Sequence, residues 1–201
     1  MLTVHLLRHG QTAWNIERRF MGRSDVPLDP TGEAQVAGLR GVFPKVDAVY
    51  ASPLQRAWRT ALIVGEPVAH PALVEMDMGV LEGMNHKQVL EANYADLLVQ
   101  FKVDPTKVVI PGGETLSQSS SRMATAFWEI VGPHPEGTIA IVSHQMAMAS
   151  MLCALTSDSL AAYSTFTQRN TAWTTIEVHR GERAEIRVIA RDQAPHLDRL
   201  G

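Results

Sequence analysis

Two histidines and two arginines sit where a phosphoryl group could be handled. His9 follows the apolar run Thr3–Leu7 and precedes Gly10. A neutral imidazole there can attack phosphorus or act as a base, and Gly10 would let the backbone approach a ligand closely. Arg8, beside it, is a permanent cation. Arg56 falls in the first turn of a helix opened by Ser52-Pro53, where unpaired amides favour anions. His144 closes the run Thr138–Ser143 and stands just before another helix, so the Gln145 N–H also faces a candidate anion site. Together these groups suit one phosphoryl group. Proton transfer would need a carboxylate. Glu75, Asp77 and Glu82 share the segment LVEMDMGVLEGM, and spacing selects none of them. The other histidines, His5, His70, His86, His134, His179 and His196, read as structural or surface groups. No His/Asp/Glu spacing makes a metal site, so no metal is expected. Trp14, Trp58, Trp128 and Trp173 are scattered and offer no stacking platform for nucleic acid.

The elements that must hold these residues alternate between strand and helix. Strands are predicted at Thr3–Leu7, Asp47–Ala51, Thr138–Ser143, Ala172–His179 and Ala184–Ala190. Helices are predicted from Asp29-Pro30 to about Gly41, after Ser52-Pro53, over Lys87–Phe101, from the Thr115 cap, and over Gln145–Leu155. The second of these carries Leu54, Ala57, Trp58, Ala61 and Leu62 at the spacing of one buried face. Such alternation implies an α/β fold around a largely parallel sheet. Ligands collect at the carboxyl ends of such strands, and Arg8-His9, Ser52 to Arg56 and His144 all fall there.

Composition narrows the partners. The 201 residues predict a single domain, 1–201, with a polar, loosely ordered tail over 191–201. The one cysteine, Cys153, permits no internal disulfide and no cysteine zinc site, and it fits a reducing compartment. A net charge of −3 argues against nucleic acid or anionic membrane as partners. The longest apolar run, Met146 to Leu155, is far short of the ~20 residues of a membrane span. Arg8-His9 occupies the place where a signal peptide would need its apolar region, so a cytoplasmic chain is expected. Arginines number 14 and lysines 4, an excess that these features do not explain.

LLRHGQTAWN (6–15) resembles the signature of the histidine phosphatase superfamily, in its phosphoglycerate mutase-like branch. The resemblance continues in order through GRSDVPLDPTGEAQVAGL (22–39), YASPLQRAWRTA (50–61), LVEMDMGVLEGM (73–84), PGGET (111–115), IVSH (141–144) and NTAWTTIEV (170–178). It implies a three-layer α/β/α sandwich with a mostly parallel central sheet. It implies that His9 becomes a phosphohistidine, that Arg8, Arg56 and His144 bind the transferred oxygens, and that Glu75 moves the proton. Asn15 and the backbone of Met21 and Gly22 would line the substrate side. His9 would be neutral and His144 most useful when protonated, without a metal. Gln145 stands where the family commonly has a small residue, and its side chain would narrow the pocket.

The activity implied is hydrolysis of small phosphomonoesters, with no cofactor. One alternative is a phosphoglycerate mutase primed by 2,3-bisphosphoglycerate, and another is an inactive phospho-ligand binding module. A mutase must hold a second phosphate, yet residues 76–110 contain no arginine and only Lys87, Lys102 and Lys107, with His86 at the position that resembles the mutase lysine. Phe20, Met21, Met76, Met78 and Met84 would line an adaptable pocket, and the tail from Arg191 would lie near its mouth and order with ligand. The expected partner is a small-molecule phosphate ester, not nucleic acid or membrane, and a homodimer is left open.

Overall fold

The computed structural model describes residues 1–181 and 184–199. In chain order the elements are β1 (Leu2–Arg8), α1 (Ala13–Ile16), α2 (Pro30–Gly38), β2 (Ala48–Ala51), α3 (Gln55–Val64), β3 (Pro67–Ala69), α4 (His86–Glu91), α5 (Ala95–Val103), α6 (Leu116–Val131), β4 (Gly137–Ser143), α7 (Gln145–Thr156), β5 (Trp173–Arg180) and β6 (Ala184–Gln193). The strands form one mixed sheet of order β3-β2-β4-β1-β5-β6. β1, β2, β3 and β4 run parallel, and β5 and β6 are added antiparallel.

The two-residue period of a strand decides what each face buries. Leu2, Val4 and Leu6 of β1 join Ile139 and Ile141 of β4 against Met123, Phe127 and Ile130 of α6 and Leu152 of α7. Leu7 points the other way, with Ala140 and Val142, against Ala57 and Ala61 of α3 and Leu39. Helices therefore cover both faces, the expected three layers. A third apolar cluster, Met76, Met78, Leu81, Val89, Val108, Ile110 and Leu116, builds the lobe beside the sheet.

Strand register positions the chemistry. Arg8 pairs with Ser143 across β1 and β4, and Ala51 pairs with Val142 across β2 and β4. Chain exits at His9, Ser52 and His144 thus lie side by side at one end of the sheet.

Several predicted boundaries move. Asp29 caps α2 as expected, its carboxylate accepting from Gly32 N–H at 2.7 Å, but α2 ends at Gly38. Ser52 does not cap α3: the helix starts at Gln55, whose N–H is taken at 2.7 Å by Asp25 Oδ1. The helix predicted over Lys87–Phe101 is two helices. At the end of α4, Asn93 turns left-handed (φ 62°), Tyr94 N–H bonds the Val89 carbonyl and Asn93 N–H bonds that of Leu90. That paired closure is a helix stop which asparagine tolerates. The tail is more ordered than its polarity suggested. β6 continues to Gln193, and His196 is buried, stacked on Trp173 with ring centroids 6.1 Å apart. Its last residues, 200–201, lie outside the described residues. No described helix is long and apolar enough to cross a membrane.

Candidate active site

His9 leaves β1 with its amide on the Ser143 carbonyl, 3.2 Å away. Its ring Nδ1 lies 2.7 Å from the Gly10 carbonyl. A carbonyl only accepts, so Nδ1 carries the proton and the neutral ring keeps its lone pair on Nε2. Burial, then the charges of Arg56 and Arg8, push this imidazole well below the ordinary histidine pKa. The His9 ring is therefore oriented, with Nε2 carrying a free lone pair. Gly10 serves a different purpose from the one expected. A Cβ there would meet Val36 Cγ2 at 2.8 Å and the Gly32 carbonyl at 2.9 Å, so the close approach is to α2 and not to a ligand.

The His144 ring sits 5.1 Å from that of His9, centroid to centroid, and its Nε2 is 2.8 Å from Ser52 Oγ. Burial, then Arg56, His9 and Arg8, push it down as well. The expectation of a protonated His144 is corrected to a neutral ring beside two cations.

Those cations are deeply held. Arg56 is fully buried, with Nη1 donating to the Ser24 carbonyl at 2.7 Å and Nη2 to that of Gly22 at 2.9 Å. Arg8 Nη1 donates to the Gln168 carbonyl at 2.7 Å and to Gln145 Oε1. Burial draws both guanidinium groups to about 10, still fully charged at neutral pH. The Glu75 carboxylate is the leading opposite charge for each. Arg8 Nε, Arg56 Nε and His144 Nδ1 are three of six buried side-chain polar atoms without a hydrogen-bond partner among the described residues. Leaving such atoms unpaired costs about 1–3 kcal/mol each, and these three belong to side chains that border His9 or its charges.

The structure separates the three candidate carboxylates. Glu75 Oε1 accepts from Met76 N–H and Ala147 N–H, each at 2.8 Å, and Oε2 accepts from Met146 N–H at 3.2 Å. The acid is thereby fixed on the first turn of α7, with Oε2 the less committed oxygen. Asp77 turns away to Gly79 N–H and Arg23. Glu82 closes the 23–24 turn, accepting from Arg23 N–H at 2.7 Å and Ser24 Oγ at 2.6 Å.

Other expected residues divide between site and scaffold. Asn15 Oδ1 is spent on capping α1 through Thr12 and accepts from Asn170 Nδ2 at 3.3 Å. Met21 is buried, and the Gly22 carbonyl holds Arg56. Gly22 itself has φ +50°, and a Cβ would strike Glu82 Oε1 at 2.0 Å. Gln145 fixes Arg8 through its side chain. The methionine-lined pocket is not observed: Met76 and Met78 are core, and of the five expected walls Phe20 alone lines the large neighbouring cavity, with Met146 joining it. His86, read as structural, lines that cavity too. The tail does approach the Arg8 side, where Asp192 and Arg169 form an ion pair at 2.8 Å.

Sequence reasoning missed three positioning groups. Ser52 was taken for a helix cap and instead meets His144. Gln168 ties the Leu6 and Ala172 carbonyls together through Nε2 while its own carbonyl holds Arg8. Arg122 clamps the strand leading to Glu75, donating to the Ala72 and Val74 carbonyls at 2.6 and 3.0 Å and to both oxygens of Glu114. Glu114 in the PGGET loop was the available signal for this last contact.

One consequence concerns stability. His5, His9, His144 and His196 are all pushed down by burial, whereas the unfolded chain protonates near the ordinary value of about 6.5. Below that pH the unfolded state binds more protons, so stability falls as pH falls. The urea midpoint should decrease between about pH 7.5 and about pH 5.5, and decrease less in a His9→Asn/His144→Asn double variant. A pH-independent wild-type midpoint would contradict the buried neutral pair.

Comparison with known proteins gives this geometry a context. A model of the histidine phosphatase superfamily (branch 1) matches residues 4–190. Phosphoserine phosphatase 1 of Hydrogenobacter thermophilus is 30% identical over 193 residues, covering 92% of this chain and 90% of that one. A probable phosphoglycerate mutase of Cronobacter sakazakii is 35% identical over 162 residues, covering 76% and 74%. Among solved structures, a phosphoserine phosphatase variant of Entamoeba histolytica in complex with phosphoserine superposes with a TM-score of 0.87 at 24% identity, covering 98% of this chain and all of that one.

Proposed function

Because this chain belongs to branch 1 of the histidine phosphatase superfamily, we propose that it hydrolyses small phosphomonoesters through a phosphohistidine on His9. The observation that carries the reading is the His9 ring: Nδ1 tied to a carbonyl, Nε2 free, and two buried arginines beside it. Nε2 attacks phosphorus, the ester P–O bond breaks, and the proton of the phosphomonoester monoanion passes through Glu75 to the departing oxygen, so an alcohol leaves. Glu75 then takes a proton from water as that water attacks the phosphohistidine. Orthophosphate is released carrying that proton, and His9 and the Glu75 carboxylate are restored. Arg8 and Arg56 offset charge on the equatorial oxygens, the dominant contribution in phosphoryl transfer, and the neutral His144 adds a hydrogen bond to them. Asn15, the Met21-Gly22 backbone and Gln145 border the substrate. Residues 1–201 act as one domain, and none of these steps calls on a metal.

The mutase reading needs cations for a second phosphate. Lys87 is paired with Glu91 at 3.7 Å and Lys107 with Asp104 at 3.1 Å, which leaves Lys102 as the lysine lining the neighbouring cavity. The test offers the wild-type protein p-nitrophenyl phosphate, and separately 3-phosphoglycerate with a trace of 2,3-bisphosphoglycerate. Phosphate release from the first without 2-phosphoglycerate from the second is expected. Rapid formation of 2-phosphoglycerate without phosphate release would reverse the assignment, and no turnover of either would leave the binding-module reading.

A further inference from the structure

A cavity of about 490 Å³ opens beside the catalytic groups, walled by Phe20, Leu98, Phe101, Met146 and Tyr163. That is the size of a small-molecule site. Two of its walls adjoin, along the chain or through a hydrogen bond, the residues that hold the phosphate-handling groups. Phe20 directly precedes the Met21-Gly22 turn whose carbonyl holds Arg56. Met146 offers its side chain to the cavity while its N–H is held by Glu75 Oε2. Met146 thereby links the carboxylate placed to serve a leaving group to an apolar chamber.

From this we infer that the leaving group is an apolar body of ring size, so that the preferred substrates are aryl or medium-chain alkyl phosphates; the inference rests on the phosphatase reading. Charge supports it. The cavity lining contains no carboxylate to receive an ammonium and no arginine to receive a carboxylate in bidentate fashion. Its polar groups are Lys102, the Tyr163 hydroxyl and His86, which is tilted over Phe20 at 5.5 Å. A phosphoserine side would find Lys102 for its carboxylate, but its ammonium would be desolvated there without a partner. At the rim, Leu90 and Val99 are 55% and 58% exposed, and an apolar leaving group would cover them.

The experiment compares kcat/KM for ethyl, hexyl, phenyl and 2-naphthyl phosphate and for phosphoserine, in wild type and in Val99→Asp and Leu90→Asp. Both substitutions fall on exposed positions of separate helices. In parallel, binding of ethyl- and hexylphosphonate, which cannot be hydrolysed, is measured by calorimetry. Hexyl over ethyl should be favoured about tenfold or more in both readouts, since each buried methylene contributes appreciably. 2-Naphthyl should exceed phenyl phosphate, and the hexyl-to-ethyl ratio should collapse severalfold in the two variants. Preference for phosphoserine, or a chain-length ratio near one that neither variant alters, would overturn the inference. If hexylphosphonate binds preferentially but no ester is turned over, the cavity assignment stands and the phosphatase reading falls.

Discussion

His9→Ala should lower phosphate release from p-nitrophenyl phosphate by about ten-thousandfold or more, as removal of a covalent nucleophile does elsewhere. His9 is the ring whose tautomer is fixed by a carbonyl, at 2.7 Å, with the opposite nitrogen unencumbered. The neighbouring ring of His144 is held in another role, its Nε2 engaged with Ser52 at 2.8 Å. Both arginines remain in the variant, so it should still bind inorganic phosphate, and fluorescence or calorimetric titration separates lost chemistry from lost folding. A variant retaining activity within tenfold of wild type would remove His9 from the mechanism.

Glu75→Gln should behave differently according to the leaving group. The glutamine keeps an oxygen for Met76 and Ala147 N–H but cannot deliver a proton. Alkyl phosphates, whose alkoxides leave poorly, should lose about a hundred- to ten-thousandfold in kcat/KM, the usual contribution of general acid catalysis. p-Nitrophenyl phosphate, whose phenolate leaves unaided, should lose far less in its first turnover. The same variant lacks the base for the second step. Stopped-flow mixing should therefore show a burst of about one equivalent of nitrophenolate followed by slow turnover. Equal losses for both substrate types, without a burst, would assign the proton to another group.

Much of this arrangement is legible in the residues, because β1 and β4 are strong β-branched or leucine-rich runs and each is followed directly by its histidine. Adjacent parallel pairing, Arg8 opposite Ser143, then suffices to bring His9 and His144 together. The acid is not legible by spacing. Glu75, Asp77 and Glu82 crowd one loop, and what distinguishes them is the partner each faces: the α7 amides, Arg23, or the 23–24 turn. Ser52 misleads because Ser-Pro commonly opens a helix, and only the sheet register shows its hydroxyl opposite His144. Met76 and Met78 mislead because proximity in sequence to the acid does not fix which way a side chain packs. The break at Asn93 depends on a left-handed turn that periodicity cannot register, although asparagine before an aromatic residue was a usable hint. The arginine excess also gains partial meaning. Arg56 and Arg122 each satisfy two or more backbone carbonyls at once, which the planar five-donor guanidinium can do and a lysine ammonium does poorly.

The central claim, a phosphorylated His9, is tested most directly by trapping it. Wild-type protein would be mixed with excess p-nitrophenyl phosphate, quenched in alkali within the burst, digested and sequenced by mass spectrometry. The account predicts a phosphoryl group on the peptide containing His9, stable in base, lost in mild acid, and accumulated further in Glu75→Gln. An acid-stable phosphoryl group, a label on any other residue, or no label under conditions that give a burst would contradict it.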